Sequence, residues 1–143
     1  MEALNAKTWL VLGGSLGAFA VLLGAFGAHL LPGYLAAIEV SGPETIRRLA
    51  NWETAARYQM YHALALVLIG LLVTQRPLVS LHLAGLAMFL GTLVFSGCLY
   101  ALVLSGVKLL GAIVPIGGMM MIAGWIALAV AGGSFGASPR AGN

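Results

Sequence analysis

Residues 52–72 read WETAARYQMYHALALVLIGLL, and their two halves obey different solvents. The first half carries Glu53, Arg57, Tyr58, Gln59, Tyr61 and His62, whereas the second is an unbroken run of Leu, Ala, Val, Ile and Gly. About 20 consecutive apolar residues, rising 1.5 Å each, are needed to cross a bilayer core. The stretch therefore predicts a membrane-spanning helix that takes several polar groups below the headgroups with it. The fate of those groups is the central question of the sequence.

The composition agrees with a lipid solvent. The chain of 143 residues is 61% hydrophobic and only 8% charged, with a mean hydropathy of +1.02. A soluble domain carries about 25% charged residues, and a third of that cannot cover a water-facing surface. One domain over residues 1–143 is expected. The net charge of +3 comes from seven scattered basic residues, unlike the clustered basic face that binds nucleic acid. The single cysteine, Cys98, excludes an internal disulfide or a cysteine-based zinc site and reads as a small hydrophobe in an apolar run.

Working outward, four spans are expected at about residues 8–31, 53–73, 81–104 and 109–132. The first is too long for the apolar core of a cleaved signal. Leu31-Pro32-Gly33 is expected to stop it. Ser41-Gly42-Pro43-Glu44 then opens a short amphipathic interfacial helix over residues 43–51, with Trp52 anchoring at the headgroups. Pro115 predicts a kink near Gly111 in the fourth span, and Gly133 to Asn143 reads as a small, polar, mobile tail. The fold class is an all-α, integral membrane four-helix bundle with one interfacial helix between the first two spans. Gly13, Gly17 and Gly24 in the first span, and Gly117 and Gly124 in the fourth, are candidate helix-packing positions. Small residues let backbones approach where lipid supplies no hydrophobic drive between helices.

Alternating spans sort the polar residues by leaflet. One leaflet receives His29, Glu53, Arg57, Tyr58, Gln59, His62, Ser96 and Tyr100, followed by Lys108. The other receives His82, Thr8, Ser15 and Thr74. Glu53 and Arg57, four apart, are placed to pair along one helix face. His62 lies about 13 Å along the helix from Glu53, beyond easy snorkelling. Tyr100 or Ser96, in the polar stripe Thr92, Ser96, Tyr100, are its expected partners. Such a group is either interhelical glue or a site for a proton, a small molecule or haem. Haem would need His29 and His62 to face each other across a roomy pocket. No nucleophile with its base, no paired carboxylates and no phosphate loop occur, so neither an enzyme nor a metal or cofactor is expected.

The segments Gly24-Ala25-Phe26-Gly27-Ala28-His29, Thr54-Ala55 with Tyr58-Gln59 and His62-Ala63-Leu64-Ala65-Leu66, Phe95-Ser96-Gly97-Cys98-Leu99-Tyr100, Pro115-Ile116-Gly117-Gly118 and Gly124-Trp125 together resemble the YgdD-like family. This is domain of unknown function 423, to which eukaryotic transmembrane protein 256 is related. Cys98 stands where that family usually has Ser, and the first loop around Val40 to Arg48 is longer. The resemblance implies a small four-span protein of the bacterial inner membrane and supplies no activity or catalytic residue. Basic tails in such proteins tilt the termini to the cytoplasmic side, although Lys and Arg are nearly balanced between the two sides. Three functional expectations stand: an accessory or assembly subunit with a membrane-protein partner, a self-associating transporter or channel for a small solute or proton, and a lipid- or cofactor-binding module. The bilayer is a partner in every case; nucleic acid is not.

Overall fold

The computed structural model describes residues 5–135. They form five helices: α1 (Ala6–His29), α2 (Leu31–Ala37), α3 (Gly42–Gln75), α4 (Val79–Ser105) and α5 (Leu109–Phe135). Four of them, α1, α3, α4 and α5, are long and apolar enough to cross a membrane. The expected all-α four-span architecture is therefore observed. The fourth-span helix reaches Phe135; the remainder of the expected tail, Arg140 included, lies outside the described residues, as do residues 1–4.

Two expectations for the first loop are corrected. Leu31-Pro32-Gly33 does not end helical structure. α1 stops at His29, and the chain restarts at once as the two-turn α2 with Pro32 in its first turn, where the missing N–H is harmless. Nor does the short helix between the first two spans fall at residues 43–51; that helix is α2. Residues 43–51 are the start of α3, which runs unbroken for 34 residues, about 51 Å at 1.5 Å per residue. The polarity of Asn51 to Glu53 suggested a boundary, but these positions hold no Gly or Pro, so nothing breaks the backbone ladder. The excess over a hydrocarbon core of about 30 Å carries Glu44, Arg47 and Arg48 out of the apolar region.

α1 packs on α3, α3 on α4, and α4 on α5; α3 is the most buried of the four and α1 the least. Missing side chains set the closest approaches. A Cβ on Gly117 would lie 2.5 Å from the Phe95 nitrogen and 2.7 Å from the Gly91 carbonyl oxygen. One on Gly124 would meet Met88 at 2.5 Å, and one on Gly13 would meet the Ala63 carbonyl oxygen at 2.8 Å. Gly17 has only an ordinary neighbour at 3.7 Å, and Gly24 faces open space. Thus α1 meets α3 closely at Gly13 and again at Gly27, where Trp52 lies, and Gly24 between them takes no part in that packing. α5 continues through Pro115.

At each end an arginine of α3 closes the bundle. Arg48 donates to the Val103 carbonyl in the last turn of α4 (2.9 Å), and Arg76 donates to the Ser134 carbonyl at the end of α5 (2.6 Å). Both cations thereby meet the carbonyl-rich, negative end of a neighbouring helix.

Backbone contact at Gly117 leaves no atom free to yield. Gly117→Ala is expected to destabilise by about 1–3 kcal/mol or more through overpacking. Gly118→Ala, whose Cβ would find nothing nearer than 3.9 Å, should leave stability unchanged or slightly raised. Thermal midpoints of the two variants in one detergent check the contrast.

Candidate functional site

α3 distributes its polar side chains around three neighbours. Gln59, only 5% exposed, is the node: its amide donates to the Leu16 carbonyl of α1 (2.9 Å), and its carbonyl oxygen accepts from the Tyr100 hydroxyl of α4 (3.0 Å). One turn away, Ser96 donates to the Ala55 carbonyl (2.9 Å). Thr92 turns back to the Met88 carbonyl of its own helix (2.7 Å), as a threonine in a helix readily does. Of the stripe Thr92, Ser96, Tyr100, the last two therefore bond to α3, where Ala55 and Gln59 receive them rather than His62, while Thr92 also touches Met121 of α5.

His62 has partners that the sequence reading did not assign. Its Nδ1 lies 2.7 Å from the Tyr58 carbonyl oxygen, and its Nε2 accepts from the Trp125 indole N–H of α5 at 3.2 Å. A carbonyl can only accept, and an indole N–H can only donate. The two contacts together require the neutral ring with its proton on Nδ1. The expected link to Tyr100 or Ser96 is not made, because those residues bond to positions three and seven earlier on α3. With both nitrogens committed, neither is free as an axial haem ligand.

Of the remaining members of the expected cluster, only Tyr58 adjoins His62, its ring stacked 6.3 Å away. Glu53 and Arg57 pair with each other on an exposed face, as their spacing implies. Tyr58 is 41% exposed and joins an aromatic ladder, 5.0 Å from Phe95 and 6.0 Å from Tyr61 between ring centroids. His29 is exposed at the last position of α1. Trp52 corrects the expected headgroup anchor. It is 3% exposed, donates to the Leu23 carbonyl (2.7 Å), and packs against Phe26 and Tyr100 at 5.2 and 4.6 Å. The slot exists because Gly27 has no Cβ; one there would stand 2.4 Å from the indole.

The opposite leaflet holds a second Trp–His pair that sequence reasoning missed. The Trp9 indole donates to Nδ1 of His82 (3.1 Å) and lies on Gly85, where a Cβ would meet the ring at 2.9 Å. The signal was available: each apolar helix that carries a Trp needs an acceptor for the indole N–H. Among the described residues no buried side-chain nitrogen or oxygen lacks a partner, and no group of three or more His, Cys, Asp or Glu is placed to hold a metal.

Two open grooves flank this interior. One, about 450 Å³, lies between the second half of α1 and the first half of α3 and is lined by Gly24, Gly27, Ala28, Ala50, Trp52 and Glu53, among others. The other, about 230 Å³, runs between α1 and α4 over Gln59.

Four apolar spans, close glycine contacts and an interior whose polar groups bond to one another define an integral membrane helical bundle. The family is settled by direct comparison: the model described as "Protein of unknown function (DUF423)" matches residues 23–118, and the chain belongs to that family. A UPF0382 membrane protein of Staphylococcus haemolyticus is 40% identical over 124 residues, covering 87% of this chain and 93% of its own. One from Staphylococcus aureus is 42% identical over 125 residues, 87% and 94% of the two chains. The UPF0382 membrane protein YwdK of Bacillus subtilis is 40% identical over 126 residues, 87% and 95%. No solved structure matches the chain.

The His62–Trp125 bond ties α3 to α5 across the interior. A double-mutant cycle with His62→Phe and Trp125→Phe is expected to return a coupling of about 0.6 kcal/mol, the average for hydrogen bonds between membrane helices. Reversible unfolding in bicelles measures it, and a coupling of zero would remove the bond from the account.

Proposed function

We propose that the protein is a non-enzymatic accessory or assembly subunit of a membrane complex, lying in the bacterial plasma membrane with both termini cytoplasmic. The observation that carries this reading is the flank of α1. The helix packs on α3 at Gly13 and again around Trp52, leaves Gly24 facing open space, and forms with α3 the 450 Å³ groove, whose lining includes Gly24, Ala28, Ala50 and Ala56 beside Trp52 and Glu53. The small residues among them admit a second helix backbone at close range. Its fitting occupant is a spanning helix of a partner protein. Relatives named only as membrane proteins are compatible with this role, and the resemblance to proteins with basic tails favours the orientation.

The transporter reading has less support. His62, its central residue, has both ring nitrogens engaged by protein groups, and the groups around it are likewise paired.

Gly24 allows a clean test, because a side chain there meets nothing within the chain. Gly24→Leu should fill the groove and leave the thermal midpoint unchanged. Native mass spectrometry of the tagged chain, gently extracted from its own membrane, should show additional polypeptides that the variant loses. Recovery of the unaltered chain alone overturns the proposal.

A further inference from the structure

A third pocket lies at the end of the bundle where α3 begins, α4 ends and α5 begins. It encloses about 260 Å³ and is lined by Glu44, Arg47 and Asn51 of α3, Leu102 and Gly106 around the end of α4, and Lys108 before α5, with Gly111 beneath. Of its residues only Lys108 is among those sorted by sequence into the polar leaflet, and the partner groove shares none of them.

The charge around it does not balance. Glu44 is the one carboxylate, and it is shared by Arg47 (2.6 Å) and Arg48 (2.9 Å). Arg48 is committed: its side chain is mostly buried, its second donor holds the Val103 carbonyl, and it presses on Gly106. Gly106 can accept it because, as the left-handed cap of α4 (φ 73°), it carries no Cβ; one would lie 2.6 Å from the guanidinium. Arg47, in contrast, is well exposed and spends one contact on Glu44, out of five N–H donors. Lys108 is exposed beside it. Three cations thus face one carboxylate, leaving two positive charges in surplus. The Asn51 amide adds neutral donors, and Leu102 an apolar wall.

A planar guanidinium, a compact ammonium and an amide around a small cavity suit the tetrahedral oxygens of a phosphate group. The source follows from position. The pocket sits where the spanning part of α4 ends, at the level of lipid headgroups, and basic pockets between spanning helices take anionic headgroups. We infer that this pocket is a binding site for the phosphodiester of an anionic phospholipid headgroup, with Arg47 and Lys108 as its charged ligands and Asn51 as a neutral donor. Arg48 is a positioning residue: by holding Glu44 and the end of α4 it keeps the pocket open and Arg47 facing it. The site is independent of the partner proposed for the α1 groove.

The test is lipid retention by the full chain in native mass spectrometry, after titration of detergent micelles with phosphatidylglycerol, with phosphatidylcholine, or with phosphatidylglycerol against excess inorganic phosphate. One phosphatidylglycerol should be retained in preference to phosphatidylcholine and resist the free anion. Arg47→Gln and Lys108→Gln should each weaken retention about five-fold, and the double variant more than twenty-fold, at about 1 kcal/mol for each basic residue near the surface. Both side chains are exposed, so thermal midpoints should not move. Arg57→Gln, on a different face, should retain the lipid as the unaltered chain does. Equal retention of the two lipids, displacement by inorganic phosphate, undiminished retention in the double variant, or equal loss with Arg57→Gln overturns the assignment.

Discussion

Between α4 and α5 the backbones themselves are in contact, with Gly117 against the Phe95 nitrogen and the Gly91 carbonyl. Most of the remaining structure depends on this approach. In lipid, one apolar helix gains nothing from hiding its surface against another, so association rests on dense packing and a few polar bonds. Only the absence of side chains at Gly91, Gly117 and Gly124 brings α5 near enough for Met88 and Met121 to fill the seam. The same approach delivers Trp125 to His62. Gly13 and Gly70 do for α1 and α3 what this seam does for α4 and α5.

The second constraint is that a polar group below the headgroups has no water to fall back on. α3 meets it by sending successive side chains to different neighbours. Trp52 bonds to α1, Gln59 to α1 and α4, and His62 to α5, while Ser96 returns a bond from α4 to the α3 backbone. Each bond is weak in membranes, yet together they specify the rotation of four helices that lipid would otherwise leave free. The polar cluster is thus intelligible as the device that selects one packing among several. Its arrangement also separates the interior from the places where chemistry is still unsatisfied, namely the small-residue flank of α1 and the charged pocket at the end of α4.

The two Trp–His pairs illustrate how such a chain uses tryptophan. Neither Trp9 nor Trp125 simply anchors at an interface; each lends its single donor to a histidine on another helix. Glycine makes room for the ring at Gly85, and at Gly27 for Trp52. Arg48 and Arg76 then close the two ends by capping helices other than their own.

Composition and run length by themselves determined the solvent, the four spans and the all-α class, because the bilayer imposes length and full backbone bonding on whatever crosses it. The motifs around Gly24 to His29, Gln59 to Leu66 and Phe95 to Tyr100 sufficed for the family. The spacing of Glu53 and Arg57 sufficed for their pair, since both lie on one helix. The partners of His62, the burial of Trp52, the idleness of Gly24 and the merging of residues 43–51 into α3 were decided only in the tertiary structure. The reason is rotational. Helices α1 and α5 are apolar on nearly every side, and α4 has only the stripe Thr92, Ser96, Tyr100, so little in the sequence declares which way each turns. A polar residue on such a helix is equally able, as far as sequence shows, to meet any neighbour at its depth. The choice is made when glycines on two chain segments come into register, and no single segment carries that information.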